Sequence, residues 1–344
     1  MKKIFSILLI IISASPAIAQ WKKTKQYVRY GHGQSHLSVS AKAGYSQFLY
    51  ALDDANAENT GGFGYGLNVN YWYYFKYNWG IATGAGLTYY GSNIKYAGSF
   101  NSNPLLEVSG MIDEDTGEEY SLRYTLKNWQ ERQQAYMVEI PVMISFQTPL
   151  YLRKRIFVRK LQYRNRFIRA NNSQWRFYAN AGGKLMLPVF GNHCGVMPGS
   201  ELSVWGYYPQ YDINFGNGEN LVEYGFGTNK NIAGEAPFKQ QKLLLKPNFA
   251  VSVEIGITAR LHEHSKQELM LGITADYGIN SIRKGSKENS PLLGPDSSVH
   301  QTNHRFIGDH TIYSGFINSS MLKNNRINTL FIGFKTGLRF GLGK

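Results

Sequence analysis

The residues of the stretch Ala135–Phe146, AYMVEIPVMISF, alternate between two chemical classes. The even-numbered positions are all apolar, whereas the odd-numbered positions are small, flexible or polar. A period of two places successive side chains on opposite faces of a β-strand. This stretch therefore predicts a strand with one apolar face and one mixed face.

The same alternation recurs in at least seven further stretches, which begin near residues 37, 63, 79, 177, 249, 269 and 330. Each reaches the roughly 9 to 11 residues that a tilted strand needs to cross a bilayer. Beyond the amino-terminal region no stretch approaches the roughly 20 apolar residues of a membrane-spanning helix. A closed barrel pairs every strand edge and can span a bilayer. We therefore predict an all-β fold, a transmembrane antiparallel up-and-down β-barrel of about eight strands.

The amino terminus has the pattern of an export signal. Lys2 and Lys3 precede the apolar run 4–12, and Ala17-Ile18-Ala19 supplies small residues for cleavage. We expect a signal peptide at residues 1–19, a periplasmic lead-in at 20–36, and a barrel with its loops at 37–344, in the bacterial outer membrane. Cys194 is the only cysteine, which excludes an internal disulfide framework and a cysteine-based zinc site. No cysteine follows the predicted cleavage site, so a lipid anchor is not expected there.

The connections between the predicted strands alternate in length. The links after the second and sixth strands are short, whereas external loops are expected at about 51–62, 91–134, 190–247 and 284–327. Short periplasmic turns and long external loops are typical of bacterial barrels. The loop at 91–134 is expected to form an extramembrane hairpin around its acidic tract. A β-bulge is expected at Pro141, because a closed barrel has no edge strand to accommodate the missing N–H donor.

Aromatic residues, 14% of the chain, fall at the ends of the apolar faces. Such rings sit favourably at the headgroup level, and a soluble sandwich has no reason to segregate them. The predicted periplasmic belt contains Tyr71, Tyr73, Trp79, Phe146, Phe177 and Phe340, and the predicted external belt contains Phe63, Tyr65, Tyr89, Tyr136 and Tyr277.

The inward faces carry a set of charged residues. A lumen of eight strands is just wide enough to be filled by side chains, so these charges are expected to pair with one another or with trapped water. The leading interpretation is a structural plug of salt bridges, and the alternative is a proton or ion pathway. The predicted network consists of Lys42, Glu139, Lys184, Glu254, Arg260, Asp276, Lys335 and Arg339.

The formal net charge is +14, and much of it lies in the periplasmic link 148–174. One interpretation of this link is a solvated loop. The other is a segment that contacts anionic lipid or an acidic periplasmic or envelope protein, because apolar residues interleave with the cations there. The chain is exported, so nucleic acid is not an expected partner, whereas outer-membrane lipid is. This basic arm comprises Arg153, Lys154, Arg155, Arg159, Lys160, Arg164, Arg166 and Arg169.

No pattern in the chain requires a catalytic residue, a cofactor or a metal. His193 with Ser200 or Ser203 is the one loop grouping that offers a base and a nucleophile. The acidic tract lacks the spacing of a calcium loop, and no nucleotide fingerprint follows a strand and opens a helix. The histidines that a metal-binding interpretation would use are explained more simply as solvated turn residues: His262, His264, His300, His304 and His310.

Two motifs resemble a known family. VEIP at residues 138–141 opens an alternating apolar run, and the strand FYANAGG follows at residues 177–183. Together they are similar to the PorT-like outer-membrane β-barrel proteins of Bacteroidetes. The resemblance implies a barrel of eight or slightly more strands, with protein secretion as the role of some members. We expect a non-enzymatic structural or partner-binding envelope component, with a solute channel or a lipid-modifying enzyme as alternatives.

Overall fold

The computed structural model describes residues 34–52, 54, 56–75, 78–113, 116–148, 175–215, 227–229, 238, 241–261, 266–284, 291–295 and 311–342. The predicted signal peptide, most of the lead-in and the basic arm lie outside these residues. Among the described residues, no helix has both the length and the hydropathy that a membrane crossing requires.

Eight long strands form the wall. Each is antiparallel to its neighbours, and the last pairs with the first, so the sheet closes on itself. This confirms the predicted eight-stranded antiparallel barrel. The strands are β1 Gln34–Leu52, β2 Ala57–Tyr74, β3 Trp79–Ser99, β4 Glu119–Gln147, β5 Trp175–Val196, β6 Asn248–Arg260, β7 Gln267–Gly278 and β8 Leu322–Gly341.

The alternation in the sequence assigns each side chain to the outside or the inside of this wall. Apolar residues face outward, where Leu67 is 66% exposed and Phe334 is 75% exposed. Their strand neighbours Asn68 and Lys335 face inward and are buried. A surface of this kind is unfavourable in water and favourable in hydrocarbon.

The two ends of the barrel differ. At one end, here the turn end, β2 joins β3 and β6 joins β7 by short links, and β1 begins where β8 ends. The opposite end, here the loop end, carries most of the longer connections. Two links depart from this pattern, since β1 and β2 are separated only by residues 53–56 at the loop end, and the long link 148–174 joins β4 to β5 at the turn end. The predicted loop at 51–62 is therefore largely strand.

The predicted loop at 91–134 is also mostly strand, because β3 and β4 continue together beyond the aromatic belt. A one-residue register shift lies opposite Tyr96 and Gly98, and Asn128 there has a φ of 49°. The buried positions of β4 are mainly even-numbered up to Leu126 and odd-numbered from Trp129 onward, so the bulge changes their parity. The change of parity interrupts the period of two at Asn128. The predicted strand begins only at Ala135, because residues 130–134, QERQQ, are polar on both faces.

Shorter elements build a cap on the loop end, defined here as the described residues 92–113, 116–131, 197–215, 227–229, 238, 241–242, 291–295 and 311–321. A 3-10 helix, Pro104–Leu106, leads into a hairpin with β4. The short strands are Glu107–Ile112, Glu201–Tyr208, Ile213–Phe215, Gly227–Asn229 and Gln241–Lys242, with Leu293–Pro295 pairing Thr311–Tyr313.

The prediction of a β-bulge at Pro141 is wrong. The registers of β4 with β3 and with β5 do not shift at this residue, although pairing with β3 is interrupted between Val142 and Glu139. The barrel therefore accommodates the missing N–H by leaving a short gap in one ladder. The bulge between β4 and β5 lies nearer the loop end, at Tyr136 and Met137 opposite Pro188 and Phe190.

Candidate functional site

Four buried charges from four strands meet in the middle of the lumen. Lys42 Nζ lies 2.8 Å from Glu139 Oε2 and 3.1 Å from Asp276 Oδ2. Lys184 Nζ lies 2.7 Å from Asp276 Oδ1 and 3.5 Å from Glu139 Oε2. Two cations and two anions balance, which is the condition under which buried charges are tolerated.

Neutral donors complete the hydrogen bonding of this quartet. The Tyr90 hydroxyl donates to Glu139 Oε1 at 3.0 Å, and the Ser252 hydroxyl donates to Asp276 Oδ1 at 2.6 Å. A separate pair lies beside the quartet, with Lys335 Nζ 2.8 Å from Glu254 Oε2. The Tyr178 hydroxyl donates to the other oxygen of Glu254 at 2.9 Å. The carboxylates thus have partners besides their cations.

A third charged cluster lies near the turn end, around Glu268. Arg339 Nε donates to Glu268 at 2.9 Å, Arg176 also donates to it, and Arg260 Nε lies 3.7 Å away. Arg339 donates further to the Tyr74 hydroxyl at 3.2 Å. The structure therefore divides the eight predicted network residues among three clusters.

Sequence reasoning missed Arg176 and Glu268. Both have the inward parity of their strands, but each lies one residue before the apolar run that marked the predicted strand start. Extending the alternation by one position would have found them. Tyr90 and Tyr178 were missed for another reason, because an inward aromatic residue does not reveal in the sequence that its hydroxyl reaches a carboxylate.

Apolar layers separate and cover the charged clusters. Trp72, Tyr178, Met143 and Met270 pack between the turn-end cluster and the quartet. Tyr90 and Phe331 pack on the loop-end side of the quartet, with their ring centroids 6.1 Å apart. A larger set then fills the space inside the cap: Ile94, Leu126, Trp129, Leu202, Val204, Phe238, Leu292, Leu293, Tyr313, Phe316 and Met321.

The buried carboxylate of Glu131 joins β4 to the cap strands Leu293–Pro295 and Thr311–Tyr313. Glu131 is 0% exposed. It accepts hydrogen bonds from the Tyr313 hydroxyl, from Phe316 N at 3.0 Å and from Gln133 Nε2 at 2.6 Å. Burial raises the pKa of Tyr313 well above its ordinary value and the Glu131 carboxylate raises it further, so Tyr313 stays a neutral donor. Sequence reasoning missed Glu131 because it placed residues 91–134 in a loop, although Glu131 and Glu139 share parity.

The lumen of the described barrel is therefore filled from the turn end to the loop end. The cavity beside the quartet, lined by Lys42, Asn70, Lys184, Glu254 and Lys335, has a volume of about 10 Å³. That is about the space of one water molecule. The arrangement can hold the wall rigid and can hold trapped water, and the described side chains of these clusters and layers occupy the lumen.

The residues weighed for catalysis or metal binding are placed as follows. Ser200 is buried, and its hydroxyl accepts from Gln130 N at 3.1 Å and donates to Asn128 O at 3.3 Å, so it joins the cap to β4. Ser203 lies on the strand Glu201–Tyr208 opposite Thr125. His262, His264, His300, His304 and His310 lie outside the described residues. Within the part of the chain that is described, no group of three His, Cys, Asp or Glu residues is placed to hold a metal.

No family model matches the chain, and no curated protein matches it. Similar solved structures include Neisserial surface protein A (NspA), at 9% identity and a TM-score of 0.30, over 88% of this chain and 96% of that chain. OprG from Pseudomonas aeruginosa has 9% identity and a TM-score of 0.32, over 91% and 97%. Ail of Yersinia pestis has 10% identity and a TM-score of 0.23, over 89% and 99%. The fold assignment rests on the closed ring of paired strands in this chain itself, and the resemblance to the PorT-like proteins stays a prediction.

Proposed function

We propose that this chain is a non-enzymatic outer-membrane β-barrel that serves the bacterial envelope as a structural or partner-binding component. The observation that carries this proposal is the filled lumen. A barrel whose interior is occupied by balanced charges and packed aromatic rings has no space for a solute, so its function is expected at its ends and on its outer surface. A role in protein secretion is the finer hypothesis that the PorT-like resemblance implies.

The outer-membrane location is supported by the exposed apolar belt and by exposed aromatic residues at both of its edges. They include Tyr71, Tyr73 and Trp79 at the turn end and Phe63, Tyr65 and Tyr277 at the loop end. Its test is fractionation of cells that express the full chain, followed by electrophoresis with and without heating. We expect the protein in the outer-membrane fraction, with a mobility that changes on heating as the barrel unfolds. Recovery in the soluble periplasmic fraction would contradict the location.

The proposed partner-binding element at the turn end is the basic arm. The arm lies outside the described residues, and its support is the sequence, in which eight cations and several apolar residues interleave without an acid. A cation near an anionic membrane surface contributes on the order of 1 kcal/mol, and a docked acidic protein would be held by the same attraction. Both kinds of binding weaken as salt rises.

The arm is tested by replacing Arg153, Lys154, Arg155, Arg159 and Lys160 with serine in the full chain. We expect the barrel to remain folded while a protein or lipid that co-purifies from native membranes at low salt is released. Raising the salt should release the same component from the unmodified protein. Retention of every co-purifying component by the substituted protein would show that the arm is only a connecting loop.

A further inference from the structure

A groove of about 210 Å³ opens on the outer surface of the barrel near the loop end. It lies where β2 and β3 lose register between Gly61 and Tyr65. A Cβ atom on Gly62 would lie 2.9 Å from the carbonyl carbon of Gly91, and one on Gly91 would lie 2.8 Å from the carbonyl oxygen of Phe63. The strands therefore approach too closely at these two positions for a side chain, and the groove lies beside this contact. Its lining includes Phe63, Tyr89, Asn93, Arg132 and Met197.

The groove borders the aromatic belt of the loop end. Ring centroids are 6.1 Å apart for Phe63 and Tyr65, 4.9 Å for Tyr65 and Tyr89, and 5.1 Å for Tyr89 and Tyr136. On the turn-end side of this row, Leu67, Leu87 and Val138 face outward on neighbouring strands. The groove thus lies at the edge of the surface that faces hydrocarbon.

The opposite side of the groove is polar and cationic. Asn93 and Arg132 are direct neighbours across β3 and β4, and Lys95 follows Asn93 on the same face, opposite Glu58 of β2. Arg132 Nη2 donates to the Tyr89 hydroxyl at 3.3 Å, and that hydroxyl donates to Gln134 at 3.2 Å. The guanidinium is thereby held beside the rings. A planar guanidinium suits the oxygens of a phosphate group.

These features select an amphiphile that carries a phosphate. Hydrocarbon alone would not require Arg132 at the rim, and a free anion in water would not require Phe63 or the aromatic row. We propose that the groove binds the phosphate-bearing headgroup of an outer-leaflet lipid, with Arg132 and Asn93 at the phosphate and Phe63 against the adjoining chain. This inference rests on the proposed outer-membrane location but is independent of the basic arm.

The test uses the full-length folded protein in detergent micelles with lipid A as the phosphorylated probe, and native mass spectrometry to measure binding. We expect the unmodified protein to retain lipid A, and Arg132→Gln to weaken its binding by about tenfold or more, the effect of losing one charge-assisted contact. Lys127→Gln, which removes an exposed cation of β4 away from the groove, should bind like the unmodified protein. Lipid A stripped of phosphate should bind about tenfold more weakly or worse.

Three results would overturn the proposal: equal binding by Arg132→Gln, equal binding of the phosphate-free lipid, or complete displacement of lipid A by millimolar inorganic phosphate. The last would indicate a site for the free anion. Heat-modifiable mobility checks the folding of each variant. If Arg132→Gln does not fold, the comparison of the two lipids on the unmodified protein decides. Recovery in the outer membrane without preference for the phosphorylated lipid would contradict this inference and leave the proposed location intact.

Discussion

Glu254 and Ile255 are consecutive residues of β6 that face opposite environments. Glu254 is buried in the lumen against Lys335, whereas Ile255 is 39% exposed on the outer belt. The pleat of the strand alone produces this difference. At the scale of single residues, the barrel therefore combines two opposite requirements, paired charges inside and apolar side chains outside.

Glu254→Gln should lower the free energy of unfolding by about 3 to 5 kcal/mol, because it leaves the Lys335 ammonium buried without a compensating charge. The double substitution Glu254→Gln with Lys335→Met should recover most of that loss, since both charges are then absent. Urea unfolding of the protein in lipid vesicles measures both values. Lys335→Met alone is measured as well. If the losses of unfolding free energy in the two single variants simply add in the double variant, the pair is not coupled.

Ile255→Arg should reduce the folded fraction in lipid vesicles, because a cation facing lipid near the bilayer midplane costs about 2 to 4 kcal/mol. Ile112→Arg is the matched control, since Ile112 is 59% exposed on the cap hairpin beyond the aromatic belt. The measurement is the heat-modifiable fraction after refolding. Similar losses in the two variants would contradict the assignment of the outer belt.

At the scale of elements, the cap packs phenol side chains into an apolar core beyond the barrel wall. Tyr124 and Tyr313 are both buried in its core. Burial raises the pKa of Tyr124 above its ordinary value, with a smaller contribution from Tyr120. Burial also raises the pKa of Tyr313, and the Glu131 carboxylate acts in the same direction. The neutral phenol is thus the form that the packed cap requires.

The cap should loosen in strongly alkaline solution. A group whose folded pKa is raised contributes its full stability below the unfolded pKa, which is about 10 for tyrosine, and loses it as the pH rises toward the folded pKa. Limited proteolysis with an alkaline protease should show little change in cap cleavage between neutral pH and pH values near 9, and increasing cleavage above about pH 10. Tyr124→Phe should flatten this dependence. Identical pH dependence in that variant would exclude Tyr124 as a cause.

At the scale of the whole molecule, charged and apolar layers alternate along the barrel axis. The turn-end cluster around Glu268, the aromatic layer with Trp72, the quartet around Asp276 and the core of the cap follow one another. Each layer is filled by side chains from several strands. An eight-stranded wall encloses only enough space for such packing, whereas barrels of about sixteen strands leave an aqueous channel.

The purified protein should therefore show no stable conductance in planar lipid bilayers. A porin of sixteen strands inserted under the same conditions is the positive control. Steps on the order of hundreds of picosiemens would contradict the filled lumen and favour the solute channel, because conductance of that size needs a continuous aqueous path.

The sequence by itself determined the strand class, the number of wall strands and the facing of their side chains. These follow from local rules, since a period of two needs only the pleat and the difference between lipid and lumen. The same rules located the inward charges, including Lys42, Glu139 and Asp276. The sequence could not assign partners to them, because pairing depends on which strands meet around the ring and at what register.

Only the tertiary structure decided the lengths of β3 and β4, the cap and the roles of Glu131, Arg176 and Glu268. Residues 130–134 of β4 are polar on both faces, so the apolar alternation ends before the strand does, and the bulge at Asn128 then reverses the parity of the remaining residues. Glu131 accepts a hydrogen bond from the hydroxyl of Tyr313, which lies 182 residues further along the chain. Contacts over such separations are set by the closure of the barrel, and no local pattern in the sequence encodes them.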